Sequence, residues 1–83
     1  MEMIKVSATS RTSAVAGAIA GVIREHKRAD VQAIGAGAVN QAVKAVAQAR
    51  RSGYLLAIIP DLVDIPLGHG SQPAVQLTVV DME

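Results

Sequence analysis

The stretch that decides the fold reads Ile34-Gly35-Ala36-Gly37-Ala38-Val39-Asn40-Gln41-Ala42-Val43-Lys44. A short strand-like segment, residues 31–34, in which only Gln32 is polar, leads into two closely spaced glycines, and a helical pattern of alanine, valine and polar residues follows to about residue 52. This pattern predicts a strand, a tight turn and a helix. Such a turn leaves unpaired backbone N–H groups at the positive end of the helix dipole, where an anion can bind.

The remaining segments alternate between strand and helix periodicity. The predicted elements are strands at residues 3–8 and 30–34, helices at 13–27 and 38–52, and strands at 54–60, continuing towards 65, and at 74–80. A right-handed crossover makes the first two strands parallel. The sequence therefore predicts one α/β domain over residues 1–83, a two-layer β-α-β-α-β-β fold with both helices on one face of a four-stranded mixed sheet.

Finer features of these segments are also predicted. The unbroken apolar run 54–59 predicts a central third strand, and residues 66–73 predict a short loop before the last hairpin strand. Thr12 or Ser13 is predicted to cap the first helix, and Gly53 to end the second.

In the first helix we expect the small residues Ala14, Gly17, Ala18 and Gly21 to allow close packing. In the second we expect Val39, Ala42, Val43 and Val46 to face inward and Gln41, Lys44, Gln48 and Arg51 to face outward.

Composition points to a small protein that associates with itself. The chain has 51% hydrophobic residues but a single aromatic, Tyr54, and no cysteine, so its core is built from small aliphatic side chains without disulfides. We expect a homodimer or tetramer. The first residues do not resemble a signal peptide, and the apolar helical stretch 14–23 is too short to cross a bilayer, which predicts a soluble cytoplasmic protein with no membrane partner.

Charge is distributed unevenly along the chain. Residues 1–52 hold all eight Lys and Arg residues and three acidic ones, a net +5, whereas residues 53–83 hold four acidic residues and no Lys or Arg, a net −4. A polyanion should therefore contact the first part of the chain.

The sequence lacks the residue groups that catalysis or a cofactor needs. Gly35-Ala36-Gly37 begins a dinucleotide-binding fingerprint, but Asn40 stands at the third glycine position and the chain is too short for the remaining strands. There is no cysteine, and His26 and His69 lie on different predicted elements without metal-ligand spacing. We predict no enzyme, no metal and no cofactor. The alternative interpretation of the glycine turn is a purely structural one, with the glycines chosen for backbone shape.

The sheet topology nevertheless predicts a site for nucleic acid. The turns after the first two strands fall at the same sheet edge, because those strands are parallel. Two helix N-termini and several polar side chains can then face a phosphate backbone together. The predicted contacts are Arg11, Ser13, Gly35, Gly37, Asn40, Gln41 and Lys44.

Three stretches that span much of the chain carry a resemblance to a known family: Ile4-Lys5-Val6-Ser7-Ala8, Ser13-Ala14-Val15-Ala16-Gly17-Ala18-Ile19-Ala20-Gly21-Val22-Ile23-Arg24 and Gln32-Ala33-Ile34-Gly35-Ala36-Gly37-Ala38-Val39-Asn40-Gln41-Ala42-Val43-Lys44-Ala45-Val46. They resemble the stage V sporulation protein S family, which is similar to the Alba chromatin proteins. The resemblance implies a dimeric, non-enzymatic regulator that binds DNA or RNA in sporulation or a related process.

The chain departs from the Alba pattern at two places, and this keeps a second hypothesis open. Alba-like proteins carry basic residues around the second strand–helix turn, where this chain has Gly35-Ala36-Gly37-Ala38, and they have a long basic hairpin. Here we expect a short, acidic hairpin, so contact should fall on the helix edge. The alternative is a protein-interaction module that keeps the fold without binding nucleic acid. A third hypothesis is a phosphate sensor that uses the glycine turn.

Overall fold

A computed structural model of the chain describes residues 2–83. Its elements are β1 (Ile4–Val6), α1 (Thr12–His26), β2 (Arg28–Ala33), α2 (Ala36–Arg51), β3 (Leu56–Leu67) and β4 (Gly70–Asp81). The strands form one sheet in the order β1-β2-β4-β3, in which β1 and β2 are parallel and the other neighbours are antiparallel. The predicted two-layer β-α-β-α-β-β fold with a mixed sheet is confirmed.

Small aliphatic residues fill the core between the helices and the sheet. Alternate residues of β2, which are Ala29, Val31 and Ala33, are fully buried because they point towards the helices. Ile19 and Ile23 cover them from α1, whereas α2 contributes mainly alanines. The alanines bring α2 close to the sheet, at the expense of the buried area that larger side chains would supply.

The third strand is an edge strand, so the prediction of a central position for it is wrong. β4 lies between β2 and β3 and pairs with β2 from Arg28↔Val80 to Ala33↔Val75. Of the β3 residues only Leu56 is fully buried. The apolar run in β3 thus reflects a partly uncovered surface and not a strand enclosed on both sides.

The hairpin is also longer than predicted. Residues 66–73 are not a loop, because β3 and β4 pair as far as Leu67↔Gly70 around a turn at Gly68 and His69. Prolines are tolerated in this ladder because β3 is an edge strand and Pro73 lies beyond the last β4 residue paired with β2. Each strand has 12 residues, and the outer half of the hairpin projects past the rest of the sheet. It is acidic as expected, but not short.

Two details of the helices differ from the prediction. The N-cap of α1 is Arg11, without a side-chain capping bond, since Thr12 Oγ1 instead accepts a hydrogen bond from Gln41. Val43 does not face inward: its side chain is 45% exposed, on the flank of α2 that faces the uncovered part of β3. The end of α2 is as predicted, with φ of +112° at Gly53.

Two helical glycines have opposite surroundings. A Cβ at Gly37 would lie 2.9 Å from the Cβ of Ala8, so this glycine lets α2 approach the β1–α1 turn. A Cβ at Gly17 would meet no atom of the described residues within 4 Å, and one at Gly21 would meet only the Arg24 side chain at 3.9 Å. The close packing predicted for α1 is therefore not made within residues 2–83 of one chain.

These surroundings predict opposite effects for the same substitution. Gly37→Ala should lower the free energy of unfolding by about 1–3 kcal/mol, because the methyl group overpacks against Ala8. Gly17→Ala should raise it by up to about 1 kcal/mol, because alanine has the higher helix propensity and its methyl group meets open space. Urea unfolding of both variants tests this pair, and a Gly37→Ala variant at least as stable as the parent would contradict the packing described.

Candidate nucleic-acid interface

The β1–α1 and β2–α2 turns lie side by side, as their parallel strands require. Gln41 of α2 donates its Nε2 group to the carbonyl oxygen of Ser10 at 2.7 Å and to Thr12 Oγ1 at 3.2 Å. Gly37 packs on Ala8 in the same place. The first turns of both helices are thus held at one edge of the sheet.

Neither helix N-terminus is neutralised by a side chain. The N-cap residues are Arg11 and Gly35, neither makes a side-chain capping bond, and neither helix has an acidic residue in its first turn. Gly35 has φ of +90°, a backbone conformation that glycine adopts without strain. The two positive helix ends therefore face solvent at this edge, where an anion is favoured.

A group of hydroxyls borders the first of these helix ends. Ser7 Oγ lies 3.1 Å from Thr9 Oγ1 and 3.2 Å from Ser10 Oγ, and Ser10 Oγ accepts a hydrogen bond from the Ser7 backbone N–H at 2.9 Å. Hydroxyls and backbone N–H groups are common contacts for phosphate oxygens. These three hydroxyls are not among the contact residues predicted from the sequence.

The seven predicted contact residues divide into three groups. Arg11 and Lys44 are exposed beside the joined turns, and Lys44 Nζ donates to Gln41 Oε1 at 3.3 Å. Gly35 and Asn40 line a groove between α2 and the hairpin, whereas Ser13 lies on the groove between the two helices. Gly37 and Gln41 are engaged in packing and hydrogen bonds within the chain.

The structure adds three residues that the predicted site omits. Thr12, Gln48 and Arg51 line a shallow groove with Lys44 on the outer face of α2. The signal was present in the sequence, because positions 44, 48 and 51 recur at helical spacing on one face. We call Arg11, Lys44 and Arg51, with the intervening Thr12 and Gln48, the cationic strip.

The charges of the cationic strip are not balanced by nearby carboxylates. Among residues 2–83, Asp81 forms an ion pair with Lys27 at 3.5 Å and Asp30 with Arg28 at 3.0 Å, and Glu25 Oε2 lies 3.7 Å from His26 Nε2. They involve the end of α1 and the start of β2, at the opposite end of β2 from the turns. Arg11, Lys44 and Arg51 therefore remain available to an anionic ligand.

Other kinds of site are not evident in the described chain. Over residues 2–83 no group of three His, Asp or Glu side chains could hold a metal ion. Neither of the two helices in that range has the length and apolar character needed to cross a membrane.

The contacts of Gln41 predict that it stabilises the fold. Gln41→Ala should lower the free energy of unfolding by about 1–3 kcal/mol, because it removes the amide that joins the two turns and leaves the Ser10 carbonyl without that donor. Gln48→Ala is the matched control, since this exposed side chain should change stability by less than about 0.5 kcal/mol. Chemical denaturation measures both, and equal effects would contradict the role assigned to Gln41.

Two comparisons relate the chain to known proteins. The family model described as Stage V sporulation protein S (SpoVS) matches residues 2–82. The solved structure of Alba from Thermoplasma volcanium superimposes with a TM-score of 0.58 at 15% sequence identity, over 94% of this chain and 95% of that one. The first comparison establishes the family and the second the fold. The chain belongs to the stage V sporulation protein S family and has an Alba-like fold.

Proposed function

We propose that the protein is a non-enzymatic regulator that binds nucleic acid as a homo-oligomer, in sporulation or a related process. The observation that carries this proposal is the cationic strip beside two uncapped helix N-termini. Arginine and lysine neutralise phosphates and release counterions, while helix ends and hydroxyls orient the backbone. The family membership supports the link to sporulation.

The hairpin does not contribute cations to this surface. Asp61 and Asp64 lie on β3, and residues 53–83 contain no Lys or Arg. An acidic arm repels a phosphate backbone, so contact falls on the helix edge.

Oligomerisation is supported by a continuous apolar surface that one chain leaves uncovered. A groove of about 480 Å³ lies between α2 and the hairpin, lined by Val39, Leu62 and Val75 among others. Leu62 is 84% exposed, and Val43, one turn along α2 from Val39, is 45% exposed. We place a second copy of the chain on this surface, which would double the number of cations available to one nucleic acid.

This assignment predicts the effect of a charge in the apolar groove. Leu62→Asp should convert the oligomer to a monomer, because an unpaired carboxylate would be buried in the interface. Met82→Asp introduces the same charge at an exposed apolar residue near the other end of β4 and should leave the assembly intact. Sedimentation velocity distinguishes the two, and an oligomeric Leu62→Asp variant would place the interface elsewhere.

The cationic strip predicts which basic residues contact nucleic acid. Lys44→Glu and Arg51→Glu should each weaken binding of labelled DNA or RNA by about tenfold, since each removes a charged contact to phosphate. Each should also reduce the slope of log affinity against log salt by about 1. Lys5→Glu is the control, because Lys5 is exposed on the sheet face away from the helices. Fluorescence anisotropy at several salt concentrations measures all three.

The same titration separates the proposal from its alternative. Saturable binding that is lost in the strip variants supports the proposed function. Binding that is absent even at low salt would instead favour the protein-interaction module to which the acidic hairpin points. Binding that Lys5→Glu weakens as much as the strip variants do would place the nucleic-acid contact outside the cationic strip. We also propose a cytoplasmic location, because the proposed nucleic-acid partner would be encountered there.

A further inference from the structure

The groove between α1 and α2 lies next to the cationic strip and takes no part in the proposed function. Its volume is about 420 Å³, within the range of small-ligand sites. Ala16, Gly17 and Ala20 of α1 and Ala49 of α2 line it with small side chains. Ser13, Gln48 and Ser52 add polar side chains to the same lining.

Glycine at position 17 has no packing function within the chain, but it keeps this groove open. A glycine in the interior of a helix costs about 1 kcal/mol relative to alanine. No atom of the described residues lies within 4 Å of the place that a Cβ would occupy, so close packing does not explain the residue. Any longer side chain at this position could extend into the groove.

The rim of the groove carries groups that recognise a nucleobase. At one end Arg24 donates its guanidinium N–H to Tyr54 Oη at 2.7 Å, and Tyr54 is the only aromatic residue of the chain. Arginine and tyrosine planes are surfaces on which unpaired bases stack. Ser13 and Gln48 line the groove as well, with a hydroxyl and an amide that can donate to and accept from a base edge.

Gln48 connects this groove with the cationic strip, because it lines both. A nucleic-acid strand whose phosphates contact Lys44 and Arg51 therefore runs alongside the groove. Building on the proposed function, we propose that the groove between α1 and α2 receives an unpaired nucleobase of the bound strand. A paired base is held inside its duplex and cannot enter, so the protein prefers single-stranded nucleic acid.

The experiment compares three labelled ligands of equal length by fluorescence anisotropy with the full chain. They are a single-stranded oligonucleotide, the duplex of the same sequence, and an abasic strand with the same number of phosphates. The single strand should bind about tenfold more tightly than the abasic strand, because each inserted base adds stacking energy. Gly17→Leu and Ala20→Leu should abolish this difference by filling the groove, without weakening duplex binding.

Ala18→Leu is the matched control, since Ala18 is exposed on the same helix outside this groove. Thermal unfolding checks that the leucine variants remain folded, and Ala20→Leu keeps the test informative if Gly17→Leu does not fold. Equal binding of the normal and abasic strands, or full single-strand preference in both groove variants, would overturn the inference while leaving the cationic strip in place. Failure of every ligand to bind at low salt would overturn the proposed function and this inference together.

Discussion

The structure depends on the contact between its two strand–helix turns. Gly37 allows α2 to begin against Ala8, and Gln41 then donates to the Ser10 carbonyl and to Thr12. A larger residue at position 37 would separate the turns, and a residue without an amide at position 41 would leave them unconnected. Because β1 has only three residues, this contact does much to hold the first part of the chain against β2 and α2.

The same contact creates the candidate interface. It places two helix N-termini side by side without acidic residues in their first turns, and it sets Thr12 of α1 beside Lys44 of α2. Gln41 is consequently a positioning residue, because its amide is already used within the chain. The outward row of α2, with Gln48 and Arg51, extends the cationic surface away from the turns.

A core of small residues leaves apolar surface uncovered elsewhere. Alanine dominates the buried stripe of α2, and β3 lies at the edge of the sheet with its hairpin extended beyond the helices. Leu62 and Val43 remain exposed as a result. The charges are also unevenly distributed, because most basic residues lie on or beside the helices while the hairpin carries acidic residues and no Lys or Arg. The proposed binding and self-association surfaces therefore meet at the start of α2, where Gly35 and Asn40 line the groove assigned to the second copy, while the cationic strip lies outside that groove.

By itself, the sequence determined the order of the elements, the approximate helix bounds, the parallel pairing of β1 with β2 and the shared edge of their turns. These features follow from local periodicity, glycine positions and the handedness of the crossover. Only the tertiary structure decided that β4 is central, that residues 66–73 continue the hairpin, and that Val43 is exposed. Strand position and burial depend on which surfaces meet after folding. The same apolar sequence pattern occurs in central strands and in uncovered edge strands, so the pattern does not distinguish them. The structure likewise decided that Gln41 is engaged within the chain and that Ser13 lies on the groove between the helices, because both depend on how α1 and α2 pack.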